Sequence, residues 1–360
     1  MTKTKTENTR SSVSRREFIK WVAVAGLLAG CRPAHQPDAT PGITAGVETP
    51  VPTPTLTPQP VAFDPTLPGR VVQASHAGAW ADGDLVPDAL RQLLDASITK
   101  LASLNDAGQA WAALFDPGER VAIKVNGLRN GATHVPLVMA VTECLQDVGV
   151  PPEQIVIFDR NTAELVDMGY PVNVDGPGVR CYGNGDDWGL EGSYTAGWTL
   201  IDTEIRVSDI LLECDALVNM PILKQAMGPG ISFGMKNHYG TFDVPWLFHN
   251  ERFERALGEL SDLPPIRDRT RLTIGDALAT ETSRSNDGYR IVGVGNTILM
   301  SFDPVAHDAI GLQLVAEELT AMNESAVPAT MWATPWLEHA SSLGLGIHDL
   351  DQIDLIPVTI

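Results

Sequence analysis

The sequence predicts an α/β fold: a layered, largely parallel central sheet with helices on both faces. Three observations carry this expectation. From residue 71 onward, short apolar runs of strand length recur. Stretches with a 3.6-residue apolar period separate them, and strand–helix alternation of this kind is the pattern of a parallel sheet covered on both sides. At 360 residues and 44% hydrophobic content, the chain is long enough to bury one large core or two small ones.

Taken in order, the apolar runs lie at residues 71–76, 121–125, 155–158, 216–223, 272–274, 297–300 and 353–358. The helical period marks residues 86–104, 135–148, 246–260 and 305–319. Just before the last of these, Asp303 is placed as an N-cap with Pro304 at the first helical position. No internal repeat occurs, so residues 69–360 are expected to form one domain. Sheets of this class bind ligands beyond the carboxyl ends of their strands, which directs attention to the residues just after each run.

The region before this body differs in composition. Residues 1–30 hold six Lys or Arg against two acids and end in an apolar run too short to span a bilayer, as an export signal does. Ser14-Arg15-Arg16-Glu17-Phe18-Ile19-Lys20 resembles the twin-arginine export motif, with Arg15 and Arg16 as its pair. Leu28-Ala29-Gly30-Cys31 resembles a lipobox, which implies cleavage before Cys31 and its lipidation; an ordinary cleaved signal ending at a chance cysteine is the alternative. Residues 31–68 contain ten prolines among Thr, Ala and Val and read as a semi-extended tether. At about 3.1 Å per residue, such a segment reaches on the order of 100 Å. The expectation is an exported lipoprotein of the cell envelope, its folded body outside the cytoplasm, whose partners are the membrane and the twin-arginine machinery. That route carries folded proteins, for which either a cofactor inserted before export or fast folding is a sufficient reason.

Charge and cysteine content exclude several functions. The whole chain carries −20, and the part after residue 30 holds 19 basic and 43 acidic residues, so a nucleic-acid surface is not expected. After Cys31 only Cys144, Cys181 and Cys214 remain, with no C-x-x-C pair, so the chain has no iron–sulfur cluster of its own cysteines. The identity of any other cofactor is open. His238 and His249, eleven apart, match no zinc motif, and no metal ligands are assigned.

Lysine use points to a site. Beyond Cys31 there are 15 arginines but only four lysines, and three of these follow strand-like runs or precede a polar cluster: Lys124, Lys224 and Lys236. A lysine there offers a compact charge with a tunable pKa where arginine would impose its fork. These three, with Asn126, Asn219 and Asn237, are the expected anion-binding set; pairing of each lysine with one of the many carboxylates is the alternative. The glycine-rich residues 227–235 suit close approach of backbone N–H groups to a phosphate or carboxylate, although they match no nucleotide fingerprint. Asp159 follows a strand run, where helix capping outweighs a ribose contact. His238, beside Lys236, is the candidate proton acceptor, with Asp276 or Asp308 as its acidic partner. The expected catalytic residues are His238, Lys236 and Asp276.

Lys124-Val125-Asn126, residues 218–224, residues 234–240, His249, Asp276 and residues 303–308 together resemble the family called domain of unknown function 362. The Asn219-x-Pro221-x-x-Lys224 and Lys236-Asn237-x-x-Gly240 pair is its most specific part, and the resemblance covers roughly residues 70–320. It implies an α/β domain in a redox setting, since relatives often carry an iron–sulfur segment. This chain lacks the cluster cysteines, so electron transfer would need another cofactor or a redox partner protein. The leading expectation is therefore an enzyme acting on a small anionic substrate or cofactor; a non-catalytic ligand-binding or redox-accessory lipoprotein is the alternative.

Overall fold

The computed structural model describes residues 69–128, 131–184, 194–249, 252–284 and 289–360. The twin-arginine pair, Cys31 and the tether lie outside the described residues. Eight strands form one sheet: β1 (Arg70–Ser75), β2 (Val121–Val125), β3 (Ile155–Asp159), β4 (Arg180–Gly183), β5 (Ala216–Met220), β6 (Thr270–Ala277), β7 (Thr297–Ser301) and β8 (Asp354–Thr359). Their spatial order is β8-β1-β7-β6-β5-β2-β3-β4. Every neighbouring pair is parallel except the two involving β7, which runs antiparallel to both β1 and β6. The fold is thus the expected layered α/β sheet, largely parallel.

Successive side chains of a strand point to opposite faces, and here they enter two separate cores. Ala122, Leu217 and Leu299 pack in one, with Val305, Val315 and Trp336. Val121, Ile123, Val218, Ile298 and Met300 pack in the other, with Leu90, Ile98 and Val141. The second core is roofed by α1 (Pro87–Ala102), α2 (Ala107–Leu114) and α3 (Val135–Asp147). The first is covered by α4 (Gly234–Asn237), α5 (Phe253–Asp262), α6 (Pro304–Ala321) and α7 (Val327–Ser342). Helices on both faces explain why β2, β3, β5 and β7 are buried along their whole length. Each fully buried Val, Leu or Ile contributes roughly 1.5–3 kcal/mol from leaving water.

Asp303 ties three parts of the chain together. Its carboxylate caps α6 by accepting from the backbone N–H of Val305 at 2.9 Å and Ala306 at 2.8 Å. It also accepts from Gly69 at 3.1 Å and Ile347 at 2.9 Å, where the chain enters β1 and approaches β8. Pro304 at the first helical turn has no N–H to leave unsatisfied.

Several elements depart from the periodicity reading. Strand β4 and helices α2 and α7 are additional, and the pattern over residues 246–260 is split into a 3-10 turn at Pro245–Phe248 and α5. The glycine-rich stretch is a hairpin: Lys224–Ala226 pairs antiparallel with Gly230–Ser232 and with Tyr289–Ile291 in a second, small sheet. Its tip packs on α7, where Trp336 Nε1 donates to Pro229 O at 2.8 Å. Among the described residues, no helix is long and apolar enough to cross a membrane.

Candidate functional site

Parallel register brings the motif residues level. Lys124 on β2 lies opposite Asn219 on β5 and Phe158 on β3, so the three strands end together at their carboxyl edge. The chain leaves β5 through Met220-Pro221-Ile222-Leu223 into the small sheet, where Lys224 faces Ser232. It then turns at Phe233 into α4, which carries Lys236 and Asn237. The start of α4 is fixed by Asp308 of α6, whose oxygens accept from Gly234 N at 2.8 Å and Met235 N at 2.9 Å.

A cavity of about 350 Å³ opens at this edge, a size suited to a small molecule. Its walls include Lys124, Asn126, Lys224, Lys236 and Asn237, all five from the expected anion-binding and catalytic sets. Asn219 stands behind them: its carbonyl accepts from Asn237 Nδ2 at 2.8 Å and its amide donates to Gly234 O at 2.8 Å, so it orients Asn237. The wall is completed by Asp159, Arg160, Glu164, Tyr239, His249 and Tyr289, among others.

The three lysines meet different partners. Lys124 Nζ lies 2.6 Å from Asp159 Oδ1 and also donates to Val125 O at 2.7 Å. Burial lowers its pKa, and the Asp159 charge opposes that effect. Asp159 further accepts from Gly127 N at 2.5 Å and Arg160 N at 2.8 Å. It therefore makes an ion pair with Lys124 and does not cap the following helix, whose N-cap is Asn161. Gly240 seals this pair: a Cβ there would fall 2.3 Å from Asp159 Oδ1 and 2.6 Å from Lys124 Nζ, so the final position of Lys236-Asn237-x-x-Gly240 has room only for hydrogen.

Lys224 Nζ donates to Asn126 Oδ1 at 3.2 Å and Gly131 O at 3.1 Å and lies 5.0 Å from the Tyr289 ring centroid. Burial pushes its pKa down to about 8. Lys236 Nζ contacts His249 Nε2 at 3.2 Å and Tyr289 Oη at 3.4 Å. Among the described residues no carboxylate pairs with it. Burial, then the neighbouring charge of Lys224, brings its pKa down to about 7. His249 Nδ1 is 2.8 Å from Pro245 O, a contact in which Nδ1 must carry the proton, leaving Nε2 as an acceptor toward Lys236. Burial and the Lys236 charge lower His249 to about 4, which keeps the ring neutral near pH 7.

Two members of the expected catalytic set lie elsewhere. Among the described residues, neither His238 nor Asp276 lines the cavity. His238 is 2% exposed, with its Nδ1 unpartnered, and burial lowers its pKa to about 3. Asp276 points to the α3 side and accepts from both the backbone N–H and Nδ1 of His134, each at 2.8 Å. The reason is local geometry: α4 and the 3-10 turn His238–Thr241 wind successive side chains to different sides, so adjacency to Lys236 in sequence is not adjacency in space. His307 and Asp308 are buried together behind α4, Nδ1 to Oδ1 at 2.9 Å.

Tyr289 and Arg160 escaped the sequence reading because neither sits in a motif; Tyr289 arrives from a strand 53 positions beyond Lys236. Position 249 was visible as a histidine, but its pairing with Lys236 depends on the turn at Pro245–Phe248. Cys144, Cys181 and Cys214 are free, buried thiols, each pushed up to about 12 by desolvation. Among the described residues, no group of three or more His, Cys, Asp or Glu is arranged to hold a metal.

Comparison with solved structures finds the lactate racemase apoprotein from Thermoanaerobacterium thermosaccharolyticum at 13% identity and a TM-score of 0.40, covering 69% of this chain and 57% of that one. A protein from Thermotoga maritima is similar at 12% identity and a TM-score of 0.40, covering 66% and 60%. The chain thus spans less than two thirds of the length of either. No curated protein matches the sequence. The family described as Domain of unknown function (DUF362) matches residues 121–313, more than half the chain and the whole stretch from β2 into α6 that supplies the cavity. The chain belongs to the DUF362 family.

Proposed function

We propose that the protein is an exported, membrane-tethered lipoprotein and an enzyme that binds a small anionic substrate in this cavity and moves a proton on it. The carrying observation is the contrast within the lysine set. Lys124 is paired with Asp159, Lys224 supplies positive charge beside Asn126, and Lys236 contacts a neutral imidazole and a phenol. Positive groups enclosed by low-dielectric walls attract anions more strongly than the same groups in water. A buried amine that titrates near pH 7, facing an imidazole nitrogen free to accept, suits general acid–base work. Asn237, held by Asn219 and by Lys124 O, keeps the cavity floor rigid.

Calorimetric titration of the full chain with pyruvate and with inorganic phosphate tests the anion part. Binding of at least one is expected, weakened about tenfold or more in Lys224→Met; affinity unchanged by that substitution contradicts it. Loss of turnover in Lys236→Ala supports an enzyme, whereas reduced affinity without turnover in any assay favours the binding lipoprotein. For the tether, Arg15→Lys with Arg16→Lys is expected to abolish export, and Cys31→Ser to release the protein from the membrane fraction. Exported protein that stays membrane-bound in Cys31→Ser would overturn the lipid anchor. A redox partner docking on the acidic surface would supply any electrons the reaction requires.

A further inference from the structure

We propose that Lys236 acts covalently: its ε-amine condenses with the carbonyl carbon of a small compound that carries an anionic group next to that carbonyl, forming an imine. This rests on the anion-binding reading above and assigns that site a substrate class. Three observations carry it.

The first is the surroundings of the amine. Lys236 Nζ lies 4.4 Å from the Tyr239 ring centroid, 5.4 Å from Phe253 and 5.8 Å from Tyr289. The rings shut water away from the amine, and this burial together with the Lys224 charge outweighs the attraction of the ring faces for an ammonium; only the uncharged amine is a nucleophile. The depressed pKa of about 7 agrees. The second is the polar partners. His249 Nε2 and Tyr289 Oη stand within hydrogen-bonding reach of Nζ, so a proton leaving the nitrogen has an acceptor. The third is the companion charge. Lys224 shares the Tyr289 ring and the same cavity, where it can hold a carboxylate or phosphate while the adjacent carbonyl reaches Lys236.

The step balances without a further reactant. The amine lone pair attacks the carbonyl carbon, a C–N bond forms, and the carbonyl π pair moves to oxygen. Both protons of the resulting ammonium pass in turn through His249 Nε2 to that oxygen, the first giving the carbinolamine and the second making its hydroxyl a water. That oxygen leaves as water as the C=N bond forms, and nothing is oxidised or reduced.

The test is reductive trapping on the full chain. One arm uses pyruvate and the other glycolaldehyde phosphate, each reduced with sodium borohydride and followed by peptide mapping. A reduced adduct on Lys236 is expected in at least one arm, about tenfold or more above that on exposed Lys100. Its yield should rise as pH passes upward through about 7, and the adduct should vanish in Lys236→Arg. The arm that reacts distinguishes a carboxylate from a phosphate substrate. In Lys224→Met the adduct should still form, but at about tenfold higher probe concentration. No Lys236 adduct above the Lys100 level in either arm overturns the proposal. If calorimetry shows anion binding in that case, the imine falls and the anion site stands. If Lys236 is trapped at the same concentrations in Lys224→Met, the imine stands and the anion site falls.

Discussion

Two ends of one cavity place the same side chain in opposite company. At one end Lys124 is locked to Asp159 at 2.6 Å, with Gly240 pressed against the pair. At the other, Lys236 is ringed by Tyr239, Phe253 and Tyr289 and contacts neutral His249. The first arrangement fixes a charge and organises backbone, since Asp159 also holds Gly127 and Arg160. The second leaves an amine whose charge is decided by pH. A buried lysine is therefore not one kind of residue: a carboxylate within reach pins its charge, and an imidazole in that place leaves the charge to pH.

The largest effect is expected of Lys124→Met. It strands Asp159 in the interior, and losing one partner of a buried pair costs about 3–5 kcal/mol; a melting transition close to wild type would contradict the structural role. Gly240→Ala attacks the same end by sterics alone and is expected to cost about 1–3 kcal/mol in denaturant unfolding, as overpacking does. At the other end the sign reverses. Lys236→Met removes a desolvated amine and is expected to raise stability by about 1–2 kcal/mol at pH 6 while abolishing turnover. The linkage has this direction: folding lowers the Lys236 pKa to about 7, so the unfolded chain binds the proton more tightly and the penalty fades as pH rises above that value. A variant less stable than wild type at that pH would show that Lys236 holds the fold together.

Smaller effects come from titration. Anion affinity should fall roughly tenfold as pH rises through 7 and 8, because Lys236 and then Lys224 lose their protons. A flat calorimetric profile would place the anion elsewhere. His134, outside the cavity, is the control. Its pKa is raised chiefly by the Asp276 charge, so this pair stabilises fully below the usual histidine range, and the contribution is lost as pH climbs through the raised value. Comparing His134→Gln with wild type should show a gap of about 1 kcal/mol in acid that closes in base, with anion binding untouched.

The sheet was legible because covered strands are apolar along their length: residues 121–125 and 297–300 stand out unaided. Strand β4, Arg-Cys-Tyr-Gly, did not, since it lies at an edge and two of its four positions are only half-buried. In the site, Lys124, Lys224 and Lys236 were visible through lysine scarcity, and Asn219 and Asn237 through their spacing to them. The choice between His238 and His249 was not, for it turns on which side of a short helical turn each imidazole faces. Neither could periodicity foresee that Asp276 is engaged by His134, 142 positions earlier.

Whether Lys236 is a titratable amine while Lys124 is a fixed partner of Asp159 can be read by following the ε-carbons of 13C-labelled lysine by NMR across pH, with Lys236→Arg assigning the signal. A Lys236 transition centred near pH 7 is expected. A Lys236 signal that remains that of a charged ammonium up to about pH 10, where an ordinary lysine titrates, would contradict it.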